Sequence, residues 1–348
     1  MTADDANAWV LILEPDVPPQ EAKRVIGAVG EIQPGASITR GDAWSAIVFA
    51  NGRHEDQLER LRTLPGVKRV VPVSAPYRLA SREVFDRDVA VGIGDEREGG
   101  RSILVGGAAP ICLTVALGEA RRSINEWTRL AVELRSAGAA VLFAGRVSAN
   151  SHRDALGLDD VKALRDVTGG ADLALAAEIS DLRQLDGVAP LADVLQIGSA
   201  SMQDFNLLRE LGRCDRPILL RRGSGSIVEE FLLAAEYVLT HGNGRVILCE
   251  SGIRTFDAGP APRFEINAIP VIKLATHLPV VADPSHATAH PNLVPAVAKA
   301  AVAAGVDGLV LDVGEGTADD GSAIRMSEFR TLMEELQPIA QAVGRRVR

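Results

Sequence analysis

Apolar and polar positions alternate along this chain in two regimes. Between residues 8 and 78, "AWVLILEP", "GASITR", "AWSAIVFAN" and "GVKRVVPV" read as short strands, while "PQEAKRVIGAVG" and "EDQLERLRTL" carry helical spacing of apolar residues. Strand, helix, strand, strand, helix, strand is the order of a ferredoxin-like α+β module. From residue 111 the pattern changes to short apolar runs separated by amphipathic stretches: "ICLTVAL", "AAVLFAG", "DLALAAEI", "DVLQIG", "RPILLRR", "RVILCE", "PVVADP" and "DGLVLDV". Eight consecutive strand-helix units predict an α/β fold of the (β/α)8 barrel type rather than an open doubly wound sheet. The expected division is a ferredoxin-like domain over 1–78, a linker over 79–110 and the barrel over 111–348.

Local signals support the helices between those strands. Ser123 with Glu126, and Ser226 with Glu229, each match a capping box, and Ile124, Trp127, Leu130, Ala131 and Leu134 share one helical face. The segment "GIGDEREGG" opens no helix after a strand, so a dinucleotide-binding loop is not expected there.

Composition removes several classes of partner. A net charge of −9 over 348 residues argues against nucleic acid or an anionic membrane surface, while leaving room for a local basic pocket that takes a small anion. With no apolar run long enough to span a bilayer and no leading basic-then-apolar segment, a cytoplasmic protein is expected. Cys112, Cys214 and Cys249 form no CxxC pair and lie in or near apolar runs, as buried reduced thiols do.

In a barrel of this type, chemistry belongs at the C-terminal ends of the strands. Glu119, His286, Asp312 and Asp320 fall at or just beyond such ends and offer one imidazole and three carboxylates. That donor set suits a divalent metal such as Mn²⁺, Mg²⁺, Zn²⁺ or Fe²⁺, although acids on barrel loops also cap helices or face solvent. Arg221 and Arg222 end the fifth strand before "GSGS", a plausible seat for a carboxylate or phosphate. Strand alternation sends one of them inward and leaves the other to pair with an acid. Arg254 either joins an anion site or ties its loop to Glu250 or Asp257. The loop in "VLFAGRVSANSHRDALG" adds Arg146, His152 and Arg153 as further candidate anion ligands.

The blocks "RRGSGSIVEEFLLAAEYVLTHGNGRVILCESGIRTF", "QIGSASMQDFNLLRELG" and "THLPVVADPSHAT" resemble the 3-deoxy-arabino-heptulosonate 7-phosphate (DAHP) synthase family, in the subtype with an N-terminal ferredoxin-like domain. The resemblance extends to "SAPYRLASREV", which is similar to that subtype's linker. It implies a metal-dependent, aldol-like condensation of phosphoenolpyruvate with erythrose 4-phosphate, a homo-oligomer, and feedback by aromatic amino acids through the N-terminal domain. The family's metal ligands, Cys, His, Glu and Asp, fall on Glu119, His286, Asp312 and Asp320. A carboxylate at Glu119 in place of a thiolate shifts preference toward harder ions.

The departures concentrate where the family holds anions. Phe143 stands at an arginine position, Ser148 to Ser151 replace a Lys-Pro-Arg-Thr segment, and Ala200 and Ser251 stand at two more arginine positions. Arg221 takes the place of the strand-five lysine and keeps its charge. Each lost charge-assisted hydrogen bond would forfeit roughly 1.5–3 kcal/mol, so efficient DAHP synthesis is not expected. Three readings remain open: a metal-dependent lyase or aldolase-type enzyme acting on an altered, keto acid-like anion in a secondary-metabolic route; a non-catalytic homologue that regulates or binds a partner; or a genuine DAHP synthase with a rebuilt substrate loop.

Overall fold

The computed structural model describes residues 8–36, 38–42, 44–50, 55–94, 103–117, 123–147, 156–256, 262–288, 290–314 and 323–347. The first elements are β1 (Ala8–Leu13), α1 (Pro19–Ile32), β2 (Ile38–Arg40), β3 (Ser45–Ala50), α2 (Glu55–Arg62) and β4 (Val67–Val73). The four strands form one antiparallel sheet in the order β2-β3-β1-β4, the ferredoxin-like arrangement. Along β1, Leu11 and Leu13 pack with Val25, Val29, Phe49 and Leu58 beneath the helices. Val10 and Ile12, on the opposite face, join Trp44 and Ala46 in the core that continues into the barrel. Burial on both faces explains why this strand reads as an unbroken apolar run.

The stretch read as a linker contains a hairpin, β5 (Ala90–Ile93) paired with β6 (Ile103–Gly106). Its four-residue strands are too short for a periodic signal to stand out among the neighbouring charges and glycines. The barrel strands follow: β7 (Cys112–Leu117), β8 (Val141–Arg146), β9 (Ala174–Ile179), β10 (Val194–Ile197), β11 (Ile218–Arg221), β12 (Val246–Glu250), β13 (Val280–Ala282) and β14 (Gly308–Gly314). They pair in parallel in chain order, and β14 returns to pair with β7, closing the (β/α)8 barrel.

Around them lie α3 (Ile124–Ser136), α4 (Leu158–Gly170), α5 (Leu185–Val188), α6 (Phe205–Leu211), α7 (Val228–Thr240), α8 (Ala268–Ala275), α9 (Pro284–Thr288) and α10 (Val294–Ala303). A two-residue strand, β15 (Ile324–Arg325), leads into α11 (Met326–Ala342). The Ser123 capping box forms, with Glu126 accepting from the Ser123 amide at 2.7 Å. On the face predicted for this helix Trp127, Ala131 and Leu134 are buried and Leu130 is half-buried, but Ile124, in the first turn, is exposed. The second predicted box is displaced by one residue. Glu230, not Glu229, accepts from the amide of Ile227, while the Ser226 hydroxyl donates to Gly223 O at 2.8 Å.

Inside the barrel, Val141, Phe143, Ala174, Ala176, Leu219 and Ile247 pack with Val91, Ile93, Ile103 and Val105 of the hairpin, which plugs the N-terminal end. Glycine is required at Gly106, where φ is +97° and a Cβ would meet Val89 O at 2.5 Å. The segment before the hairpin is strapped to the barrel: the His277 Nε2–H donates to Leu79 O at 2.7 Å, Ala80 N–H to Glu236 at 2.9 Å, and Arg82 N–H to Ala275 O at 2.9 Å. The edge of the small sheet is fixed too. The Thr39 hydroxyl donates to Leu239 O at 2.6 Å, and Arg40 bridges Asn243 in parallel.

Candidate functional site

The open end of the barrel is built from the last inward residue of each strand. Leu219 packs inside, so by alternation Arg221 also points inward and Arg222 outward. Arg222 donates to Glu250 at 2.8 Å and to Ser226 O at 2.9 Å, locking the start of the loop before α7. Burial pushes the Glu250 carboxyl up, against the pull of the Arg222 guanidinium. Arg221 forms an ion pair with Asp283, and its Nη2 lies 3.3 Å from His286 Nδ1. The strongest cation predicted from sequence therefore already has a carboxylate partner.

Asp283 is fully buried and organises the seventh strand end. Its Oδ1 accepts from the His286 amide at 3.0 Å, as a helix cap does, and Pro284 occupies the first turn of α9. His286 Nδ1 lies 3.0 Å from Asp283 Oδ2 and 3.8 Å from Asp312 Oδ2. A carboxylate on one imidazole nitrogen is the pairing that fixes ring orientation in metal-bound histidines, where ligation then falls to the other nitrogen. Asp312 is held in turn, its amide donating to Ser285 Oγ at 3.0 Å. Two of the four predicted ligands, His286 and Asp312, are thus brought together. Glu119 and Asp320 lie outside the described residues, and among the described residues no three His, Cys, Asp or Glu side chains form a metal-binding group.

On the opposite side of the mouth, Phe143 is buried in the barrel interior. Beyond it β8 carries one extra residue relative to β9: Phe143 pairs with Ala176, but Arg146 pairs with Glu178. Gly145, at φ +83°, supplies the left-handed turn this bulge needs. Arg146 Nε lies 3.5 Å from Glu178 Oε1, and Gln196 Nε2 donates to Glu178 Oε2 at 2.8 Å. Between the two sides, the hydroxyls of Ser199 and Ser251 lie 3.2 Å apart. Cys249, beside Arg221, is fully buried, and burial pushes its thiol up to about 11. Cys112 is likewise buried, whereas Cys214 is only partly covered.

Arg254 is exposed and makes no ion pair among the described residues, so the expected tie to Glu250 is not formed; its amide instead donates to Ser224 O at 2.7 Å. Asp257, His152, Arg153, Ser148 and Asn150 lie outside the described residues. Asp283 and Glu178 stand at strand ends in the sequence, where their part in the chemistry stays open, and the structure gives them Arg221, His286 and Gln196 as partners. Gln196 was absent from the sequence-derived site: it is a polar residue at an inward position of an otherwise apolar strand, a signal that does not register until strand phase is known.

The model of the DAHP synthetase I family matches residues 107–343. A phospho-2-dehydro-3-deoxyheptonate aldolase from Thermotoga maritima is 30% identical over 347 residues, covering 97% of this chain and 99% of that protein. The crystal structure of a Thermotoga maritima protein of that name superposes with a TM-score of 0.72 at 29% identity, over 98% of this chain and 99% of the other. A 2-dehydro-3-deoxyphosphooctonate aldolase from Geobacter sulfurreducens is 23% identical over 56% of this chain and 76% of its own length. No helix among the described residues is long and apolar enough to cross a membrane. The chain belongs to the DAHP synthetase I family.

Proposed function

We propose that the barrel mouth is the active site of a metal-dependent, aldolase-type enzyme that takes an altered, keto acid-like anion and makes DAHP poorly at best. The observation that carries this reading is the state of the mouth's positive charge. Phe143, Ala200 and Ser251 stand where the family resemblance puts arginines, and Arg221, which keeps its charge, is spent on Asp283. A phosphate ester that the family grips with several cations would meet an apolar ring, a methyl and a hydroxyl at those positions. Each missing anchor forfeits roughly 1.5–3 kcal/mol of charge-assisted hydrogen bonding.

His286 and Asp312, together with Glu119 and Asp320, would hold the divalent metal; when bound, such an ion polarises a substrate carbonyl. The donors suit a hard or borderline cation, and the Asp283 contact to His286 Nδ1 is the orientation such a ligand needs. The remaining residues bind and orient. Asp283 holds the Arg221 guanidinium inside the barrel, Arg222 and Glu250 fix the loop that follows it, and Phe143 is buried below.

The test has two readouts. Purified protein with Mn²⁺ should form little or no DAHP from phosphoenolpyruvate and erythrose 4-phosphate, and family-like turnover would place the chain with the ordinary synthases instead. Mn²⁺, Zn²⁺ or Fe²⁺ should raise the unfolding temperature, and His286→Ala should erase that rise. No shift with any of these ions would favour a non-catalytic role.

A further inference from the structure

We infer that Arg146, Glu178 and Gln196 form a recognition corner for an unphosphorylated end of the ligand, one that bears a single carboxylate next to a hydrogen-bond donor such as a hydroxyl. This deepens the proposed reading of the mouth and rests on it.

The argument starts with the bulge. Without the extra residue in β8, alternation would turn Arg146 away from the face that holds Phe143; with it, Arg146 comes into register with Glu178. The guanidinium is only lightly engaged. Its Nε is 3.5 Å from Glu178, and the side chain is 64% exposed, so among the described residues the remaining N–H groups of the fork are open to a carboxylate. Arg221, by contrast, is 6% exposed and closed against Asp283.

Gln196 provides the second, independent observation. It is fully buried, spends an amide N–H on Glu178, and leaves Oε1 without a hydrogen-bond partner among the described residues. A buried orphan acceptor is costly unless something donates to it. A donor on the ligand satisfies it, and the neighbouring Glu178 carboxylate accepts from the same group. The balance of charge selects against phosphate. Among the described residues, the guanidiniums of Arg146 and Arg221 face the carboxylates of Glu178, Asp283 and Asp312, so a dianion enters a mouth with no surplus of cations.

Two matched pairs of acids test this by calorimetry on the full-length protein. D-Glycerate against 3-phospho-D-glycerate isolates the phosphate, and L-lactate against propionate isolates the donor. Glycerate should bind about tenfold or more tightly than its phosphate ester, and Arg146→Ala should weaken it by about tenfold. The unfolding temperature of that variant should match wild type, because the side chain is exposed. Gln196→Met should collapse the preference for lactate over propionate. Tighter binding of phosphoglycerate, or an Arg146→Ala protein that binds glycerate as wild type does, overturns the inference and leaves the aldolase reading standing. Undiminished lactate preference in Gln196→Met removes Gln196 from the corner. Failure of all four acids to bind, with or without Mn²⁺, sinks both the corner and the active-site reading.

Discussion

At the sealed end of the barrel, Asp307 is fully buried and accepts from the Val280 amide at 2.8 Å, from Lys273 at 2.9 Å and from Arg345 at 2.9 Å. At the open end, Asp283 is equally buried and gathers Arg221 and His286. The two carboxylates are alike in depth and differ in company. The partners of Asp307 are themselves covered, Lys273 at 18% and Arg345 at 16% exposure, whereas His286 is 47% exposed. A charge cluster closed on every side contributes to stability; one that keeps an open side retains the ability to trade a partner for a ligand. The division matches the general asymmetry of these barrels, with function at the C-terminal face and stability at the other.

The comparison is broken most forcefully at the bottom. Asp307→Ala takes the carboxylate from the covered Arg345 and leaves Lys273 with Asp88 alone, and should cost about 3–5 kcal/mol in chemical denaturation, while leaving ligand binding at the mouth unchanged in the fraction that folds. At the top, Arg222→Ala leaves Glu250 buried without its cation and should cost about 3 kcal/mol. Arg221 reads from the sequence as an anion ligand; because it also pairs with Asp283, Arg221→Ala should lower both binding and stability, as paired calorimetric and denaturation measurements would reveal.

Acid sharpens the contrast. Burial drives His277, the barrel residue that holds the strap, down to about 4 from 6.5, with nearby Arg82 reinforcing the drop and Asp88 and the Leu79 carbonyl opposing it. The unfolded chain therefore binds the extra proton between those values. His277 contributes its full stability above pH 6.5 and loses it as the pH falls toward 4, by up to roughly 3 kcal/mol. The denaturation midpoint should fall with acid across that window in wild type and fall less in His277→Gln. The smallest effect belongs to a cap: Ser123→Ala should cost about 1 kcal/mol, visible as a modest drop in the denaturation midpoint.

Much of this architecture can be read from the chain before any coordinates, for a physical reason. Barrel strands are buried on both faces, so "ICLTVAL" and "RVILCE" announce themselves as apolar runs, and the capped, amphipathic α3 does the same. The hairpin β5–β6 escapes because each arm has four residues and its burial depends on the barrel it plugs. The mouth is only half legible. His286, Asp312 and Arg221 stand out as charges at strand ends, yet the Arg221–Asp283 pair and the corner at Gln196 depend on strand phase across neighbouring strands. At Arg146 the phase itself is reset by an extra residue that no alternation rule foresees.

The junction between the small sheet and the barrel bears on how the protein emerges from the ribosome. Thr39 waits for a carbonyl 200 residues downstream, an interval of roughly 10 to 40 s at ordinary synthesis rates. Throughout that interval the sheet, if already formed, has β2 as an unsheltered rim. This rim is three residues long and ends in Arg40, a strand too short and too charged to recruit a neighbouring nascent chain. When Asn243 arrives, the same arginine's backbone becomes the docking point. Brevity and charge guard that rim until the later part of the chain covers it.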